Sequence, residues 1–297
     1  MTTDADTAVV LAPGDWRERE AAHHARVDAL LAGHLERARR GEKHPVEDFL
    51  FTYYSHRPAQ LRRWHPGAGV VLADAADRAG WRDHVDVDLP GGGRGVTVDV
   101  GAFTSRRGEM LAHVRALLAA TASRPAHLGC FGLHEWAMVY RQAPGGVRHP
   151  AWSLRLGPAG TDAVVEAHRV RCSHFDAYRF FTAAAAPRNA IRPTRADAVA
   201  LEQPGCLHAT MDLYKWTYKL TPAVPSDLVA DAFELARDVR ELDMRASPYD
   251  LTALGYEPVP IETPEGKAAY VAAQRGFAER GARLRARLLA VLDRLAP

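Results

Sequence analysis

One fifteen-residue segment, CLHATMDLYKWTYKL at 206–220, constrains the fold of this 297-residue chain most strongly. At 100° per residue on a helix, four polar side chains fall in one narrow stripe: His208, Asp212, Lys215 and Lys219. Bulky apolar residues such as Met211 flank the stripe on both sides. A surface helix has one apolar face and one broad polar face. The pattern therefore predicts a helix over Leu207–Leu220 that is packed on both flanks, with its stripe facing an enclosed cleft.

The charged groups of such a stripe need partners, because burying an unpaired ion costs several kcal/mol. We predict these partners in RCSHFDAYRFF at 171–181, within a predicted helix over Asp162–Thr182. The two segments would enclose one polar pocket. An Asp beside a Lys can act as a base or nucleophile pair, and a His can move protons or bind metal. The predicted catalytic residues are Asp212, Lys215, His208, Asp176 and His174, and the predicted binding residues include Arg179 and Lys219. A purely structural line of ion pairs is the alternative.

A third polar group lies in LGCFGLHEWAMVYR at 128–141, within a helix predicted over Pro125–Arg141. His134 and Glu135 are candidate binding residues there. A second His four residues after His134 is absent, so the segment lacks the metalloprotease signature. A core helix with one hydrogen-bonded His explains the pattern equally well.

A basic and aromatic segment, RPAQLRRWHPGAGVVLA at 57–73, suggests contact with nucleic acid. Arg62, Arg63 and Trp64 combine guanidinium groups with an aromatic plane, which suits phosphate contact and base stacking. The run from His65 to Ala73 also has the Pro-Gly-x-Gly-x-x-x-Ala spacing of a helix-hairpin-helix element, in which glycine amides approach a DNA phosphate.

The remaining pattern predicts a mainly α fold. Helical periodicity covers Asp15–Arg40, Arg107–Thr121, Asp227–Leu242 and Glu265–Leu295. HVDVDL and VTVDV alternate with period two around PGGGRG, which is typical of a β-hairpin with a glycine-rich turn. We therefore predict a flexible N-terminus over 1–14. A single, mostly helical domain over 15–297 follows, with a small β element near 70–104.

Charge and cysteine content limit the classes of function. The 38 basic and 36 acidic residues leave a formal charge of +2, so any DNA contact must rest on local patches. Three cysteines without Cys-x-x-Cys spacing fit a reducing compartment and disfavour a thiolate zinc site. The N-terminal residues show no basic region followed by an apolar region, and no run of 18 apolar residues occurs, so we expect neither a signal peptide nor a membrane span. We predict a cytoplasmic protein with no membrane partner.

Several long blocks resemble an actinobacterial protein family labelled 3-methyladenine DNA glycosylase. They are HPVEDFLFTYYS, RPAQLRRWHPGAG, RCSHFDAYRFF, LEQPGCLHATMDLYKWTYKL and LDMRASPYDL, and the resemblance runs from about Glu42 to Gly266. It implies a DNA repair hydrolase that removes alkylated purines, with damaged DNA as its partner and no cofactor. Such an enzyme needs an aromatic pocket for a flipped base and a carboxylate near the sugar.

Two other functions fit the same residues. A helical metal enzyme, such as a di-iron oxygenase or hydrolase, would hold iron, manganese or zinc. Its candidate ligands are His134, His174, Asp176, His208 and Asp212. Alternatively, the stripe recognises the carboxylate or phosphate of a small molecule or nucleotide in the polar pocket through Lys215, Lys219 and Arg179.

Overall fold

Helices dominate the computed structural model, which describes residues 8–142 and 151–295. The α-helices are α1 (Pro13–Arg40), α2 (Phe49–Tyr53), α3 (Pro58–Arg62), α4 (Val100–Ala122), α5 (Leu133–Ala137), α6 (Gly157–Ala167), α7 (Phe175–Tyr178), α8 (Ala198–Leu201), α9 (Leu207–Lys219), α10 (Ser226–Arg245) and α11 (Pro264–Arg294). The strands are β1 (Val9–Leu11), β2 (Val70–Ala73), β3 (His84–Asp88) and β4 (Arg94–Val98). Short 3₁₀ turns occupy Ala76–Arg78, Ala186–Arg188, Arg195–Asp197 and Thr252–Leu254. The prediction of a mainly α fold with a small β element is confirmed.

Local sequence signals fix the ends of the long helices. α1 begins at Pro13, whose missing N–H costs nothing in the first turn, and ends before Gly41, which adopts a φ of 70°. At the start of α4, the Asp99 carboxylate accepts a hydrogen bond from the backbone N–H of Ala102. The Thr263 hydroxyl caps α11 in the same way. The predicted starts of α1 and α11, at Asp15 and Glu265, are close to the observed ones, whereas α4 begins at Val100 rather than at the predicted Arg107.

The main core forms around α9, which packs against both α10 and α11. Ten of the thirteen residues of α9 are buried. A helix that is enclosed on most sides belongs to the interior of a protein. The largest apolar cluster extends from Val27 in α1 to Leu295 after α11. The single domain over 15–297 remains a prediction that this shared core supports.

The four strands form one sheet in the order β1-β2-β4-β3. β1 pairs with β2 in parallel, with Val9 opposite Val70, and the other pairs are antiparallel. The β3–β4 turn contains Gly91, Gly92 and Gly93, all with φ between 93° and 99°, a region that L residues with a side chain rarely adopt. The sheet packs on the start of α1 through a second apolar cluster that includes Trp16.

Four sequence predictions differ from the structure. The predicted flexible N-terminus is wrong for Val9–Leu11, because these residues pair with β2; residues 1–7 lie outside the described part of the chain. The helix predicted over Asp162–Thr182 is two helices, α6 and α7, joined by an extended segment. Within the helix predicted over Pro125–Arg141, only α5 (Leu133–Ala137) is helical. The helix-hairpin-helix prediction is wrong because Val70–Ala73 form strand β2.

Candidate functional site

Asp212 on α9 is the centre of a buried polar cluster. Its Oδ1 accepts a hydrogen bond from the Tyr54 hydroxyl at 2.8 Å, and its Oδ2 accepts one from Lys215 Nζ at 2.8 Å. His174 Nε2 lies 3.4 Å from the same Oδ2. Burial alone would raise the pKa of Asp212, but the charges of Lys215 and His174 outweigh it and hold this pKa well below its ordinary value. Asp212 is therefore a buried carboxylate ion with three partners.

His174 reaches this cluster because the chain is extended just before α7, not helical. Its Nε2 also lies 3.6 Å from Glu202 Oε1, which follows α8. Burial lowers the pKa of His174, but Asp212 and Glu202 outweigh burial and raise it. The pKa of Glu202 is raised, chiefly by burial. His174 in this cluster therefore binds a proton more tightly than a histidine that is exposed to water.

A cationic cleft of about 580 Å³ opens beside this cluster. Four cationic side chains, one carboxylate and five aromatic rings line it, together with two hydroxyl-bearing residues. We define the cationic cleft by these residues: Lys215, Lys219, Arg179, Arg195, Asp176, Phe49, Tyr53, Tyr54, Phe180, Tyr218, Thr52 and Ser55. Pockets of 300–1,000 Å³ are typical of small-molecule sites. The cationic cleft has the size and the polar groups of such a site.

Ion pairs connect the wall of the cationic cleft to its floor. Arg179 Nε lies 3.1 Å from Asp176 Oδ1, and Lys215 Nζ lies 3.7 Å from Asp176 Oδ2. Lys215 therefore lies between Asp176 on the wall and Asp212 below it. Burial lowers the pKa of Lys215, but Asp212 outweighs burial and raises it. Lys215 carries its charge at the point where the cleft meets the interior.

Lys219 differs from Lys215, because it forms no ion pair among the described residues. It lies one helical turn beyond Lys215, with its Nζ 5.8 Å from the centre of the Trp216 ring. Burial lowers the pKa of Lys219, and repulsion by Lys215 lowers it further. Lys219 thus brings a positive charge to the cationic cleft with no protein carboxylate bound to it.

A second buried group of charges lies deeper in the helical core. Arg240 Nη1 on α10 donates to Glu135 Oε1 at 2.8 Å and to Asp243 Oδ2 at 2.9 Å. His134 Nε2 lies 2.9 Å from Asp243 Oδ1. Burial lowers the pKa of His134, but Asp243 outweighs it and raises this pKa. Burial would raise the pKa of Asp243, whereas His134 and Arg240 hold it well below its ordinary value.

His208 lies between the two buried groups. Its ring stacks on His174 with centroids 5.2 Å apart and meets His134 edge-on at 4.4 Å. Burial, followed by the neighbouring His134, lowers the pKa of His208 well below its ordinary value. A neutral imidazole therefore separates two groups that each contain an ion pair.

All three cysteines of the chain line one small cavity of about 20 Å³ beside this histidine. Cys130, Cys172 and Cys206 share it with His134 and His208. Burial raises the pKa of each thiol, that of Cys172 to about 12. The thiols are neutral at physiological pH, since a thiol ionises appreciably only near its pKa.

The structure brings together most of the residues that the sequence nominated. Asp176, Arg179, Lys215 and Lys219 line the cationic cleft, whereas Asp212 and His174 lie beneath it and contact Lys215 or one another. Neither Asp212 nor His174 lines the cleft, so Asp212 acts on a ligand there through Lys215 or Tyr54, which line the cleft and bond to it. His134 and Glu135 lie in the deeper group, His208 lies between the two groups, and none of the three lines the cationic cleft.

The basic and aromatic segment does not join the site. Trp64 is only 2 % exposed and packs in the second apolar cluster with Leu72, so its ring is closed to base stacking. Arg62 pairs with Asp28 at 2.8 Å, and Arg63 lies over the ring of Trp81. The prediction that Trp64 stacks on a base is wrong, because the sheet covers the indole.

Sequence reasoning missed Tyr54, Glu202, Arg240 and Asp243. The Tyr54 hydroxyl bonds to Asp212, which lies 158 positions away along the chain. Arg240 and Asp243 follow one another at i, i+3 on α10 beside fully buried Ala236. Ala236 lies one helical turn before Arg240 and two turns before Asp243, so an apolar face that includes Ala236 would have predicted that both charged side chains are buried. No local signal marks Glu202.

Comparison with known proteins leaves the family open. No family model, curated protein or solved structure matches the chain. The resemblance to the glycosylase-labelled family therefore remains a prediction. Among the described residues, no helix has the length and apolar character needed to cross a bilayer.

Proposed function

We propose that the cationic cleft binds a phosphorylated compound with a planar ring, the chemistry of a nucleotide. The observation that carries this proposal is the combination of unbalanced positive charge and aromatic rings in one cleft of about 580 Å³. The volume lies within the range of pockets that hold a nucleotide-sized molecule.

The charges of the cationic cleft favour an anion. Lys215, Lys219, Arg179 and Arg195 face the single lining carboxylate of Asp176. Arg195 reaches Asp176 only at 3.7 Å, and its side chain is 75 % exposed. Lysine and arginine side chains near one another repel unless an anion lies between them. A phosphate group with two negative charges relieves this repulsion and accepts hydrogen bonds from several of these donors at once.

The aromatic side of the cleft suits a planar ring. Phe49 and Tyr53 stack with centroids 5.0 Å apart and an interplanar angle of 13°. Phe180 and Tyr218 complete this lining. Aromatic rings prefer offset or edge contacts with one another, and base–aromatic stacking is worth about 1–3 kcal/mol. A purine base placed among these rings would put its phosphate within reach of the lysines on α9.

Binding of adenosine 5′-monophosphate, measured by isothermal titration calorimetry, tests the proposal. Lys219→Ala removes the cation without a carboxylate partner, and we expect its affinity to fall about tenfold or more, the effect of one charged hydrogen bond. Lys43→Ala is the matched control, because Lys43 is exposed and does not line the cleft. We expect the control to bind as the wild type does, and adenosine without phosphate to bind more weakly. Equal binding by both variants, or none by the wild type, would refute the proposal.

A second candidate function is hydrolysis of an N-glycosidic bond in alkylated DNA, as the resemblance implies. Asp176 favours it, because this carboxylate lies in the cationic cleft with Lys215 Nζ 3.7 Å away. In this reaction Asp176 takes a proton from water as the water oxygen bonds to the sugar carbon. The bond to the base breaks, and its electron pair leaves with the alkylated base. The segment His65–Ala73 does not form a helix-hairpin-helix element, so the cleft carries this candidate.

Release of free base from methylated duplex DNA tests the second candidate. Asp176→Asn should abolish release, whereas Asp238→Asn, which changes an Asp paired with Arg280 elsewhere, should leave it unchanged. Nucleotide binding without base release would support the first proposal and remove the second. Base release that persists in Asp176→Asn would show that another group acts on water.

A further inference from the structure

His134, His208 and Asp243 place three ligand atoms close together in the interior. Each offers one nitrogen or oxygen, and the three atoms lie within 4.8 Å of one another. The residues come from α5, α9 and α10, and all three are buried. From this arrangement we infer a binding site for one divalent transition-metal ion, separate from the cationic cleft.

The contact between His134 and Asp243 has the geometry of two ligands of one ion. His134 Nε2 and Asp243 Oδ1 lie 2.9 Å apart, and neither atom has any other partner among the described residues. Two atoms each about 2.1 Å from one metal ion lie about 3.0–3.4 Å apart when the angle at the metal is about 90–109°. The observed separation lies near the lower end of that range.

The two imidazole rings are also arranged as neighbouring metal ligands. The rings of His134 and His208 are 4.4 Å apart between centroids and nearly perpendicular, at 83°. This arrangement allows each ring to direct one nitrogen at a common ion.

The charges around the site favour a cation. Glu135 and Asp243 both accept hydrogen bonds from Arg240 Nη1, so two carboxylates share one guanidinium group in the interior. The two carboxylates and Arg240 together leave one negative charge, which attracts either a metal ion or a proton on His134. Arg240 binds the Oδ2 atom of Asp243 and leaves Oδ1 for the ion, a common arrangement around ligating carboxylates.

The small cavity beside the histidines supplies the remaining coordination position. Its volume of about 20 Å³ holds one water molecule, and both His134 and His208 line it. Three protein ligands and one water form a four-coordinate site of the kind found in zinc enzymes; two His and one carboxylate also suit iron(II), manganese or cobalt. The thiols of Cys130, Cys172 and Cys206 do not belong to this group of three ligand atoms.

Cobalt(II) binding to protein stripped of metal by a chelator tests the inference. Equilibrium dialysis with elemental analysis measures stoichiometry and affinity, and visible absorption reports the coordination of the ion. We expect one Co²⁺ per chain, with d–d bands of a four- or five-coordinate site, and displacement by Zn²⁺. His208→Phe removes one ligand at similar volume, and we expect at least tenfold weaker binding. His23→Phe is the matched control, since His23 is an equally buried histidine on α1 outside the site.

Two outcomes would overturn the inference. If the wild type and His208→Phe bind Co²⁺ equally, or if neither binds it, then His134 and Asp243 form an ion pair without metal. Circular dichroism establishes that each variant is folded. If His208→Phe does not fold, the visible absorption spectrum of Co²⁺ bound to the wild type tests the inference. Bands of low coordination number support the site, and the weak spectrum of a hydrated ion at surface carboxylates contradicts it.

Discussion

The substitution Asp212→Asn tests whether the buried cluster under the cationic cleft is an ionic network. The change keeps the volume and shape of the side chain, so it creates no cavity. It removes the negative charge that lies 2.8 Å from Lys215 Nζ and 3.4 Å from His174 Nε2. Asp212 is only 2 % exposed, so water cannot replace the lost charge. Removing one partner of a buried ion pair destabilises a protein by about 3–5 kcal/mol.

The expected change in melting temperature follows from the chain length. Unfolding entropy is about 2.1 cal/mol/K per residue, so for a chain of this length a destabilisation of about 3–5 kcal/mol lowers the melting temperature by about 5–8 °C. Urea denaturation followed by circular dichroism measures the free energy of unfolding at pH 7. Asp238→Asn is the matched control. It breaks a pair with Arg280 that is more than a third exposed, and such pairs contribute about 0–1 kcal/mol.

Acid should reduce the effect of Asp212→Asn. The pKa of Asp212 is lower in the folded protein than in the unfolded chain, so its stabilisation is complete above the unfolded value near 3.9. That stabilisation is lost as the pH falls through the folded pKa. The difference between wild type and variant should therefore be largest near neutrality and shrink below about pH 4. The ionic network would be refuted if Asp212→Asn lowered the free energy of unfolding only as much as Asp238→Asn does. A difference in stability between wild type and Asp212→Asn that does not change with pH would also refute it.

Two further predictions concern stability away from the cluster. Gly266→Ala should destabilise the protein by about 1–3 kcal/mol in thermal denaturation, because the new Cβ would clash with the Pro260 carbonyl. Gly276→Ala on the same helix places its Cβ in open space, so it should be neutral or stabilising by up to about 1 kcal/mol. An equal effect of both substitutions would contradict this packing. Burial lowers the pKa of His56 to about 4, so the unfolded chain binds a proton at a higher pH than the folded protein does. Between pH 6.5 and pH 4, the free energy of unfolding of the wild type should therefore fall by about 3 kcal/mol more than that of His56→Phe. Parallel pH profiles in urea denaturation would show that His56 is protonated equally in both states.

The sequence by itself determined the long helices, the hairpin and the unusual character of α9. Helical periodicity and end signals act over a few residues, and Pro13, Asp99 and Thr263 stand at or just before the first residue of their helices. The polar stripe of α9 between two apolar flanks correctly predicted that both flanks are packed. It also nominated Asp212 and Lys215, which are hydrogen-bonded to each other.

Only the tertiary structure decided where the helix predicted over Asp162–Thr182 is interrupted. The amide side chain of Asn189 bonds to both the N–H and the carbonyl of Cys172, and Ala190 bonds to Val170. These contacts replace helical hydrogen bonds with partners that are 17 to 20 positions away along the chain. A pattern confined to neighbouring residues cannot reveal them.

The composition of the candidate sites was likewise set by distant contacts. Tyr54 and Asp212 are separated by 158 positions, and Arg240 and Glu135 by 105. The charge on each buried group depends on which partners the fold brings to it, because burial and neighbouring charges act together on its pKa. Residue type and spacing thus predicted which side chains have functional chemistry. The packing of α5, α9 and α10 decided which of them lie together and in what ionic state.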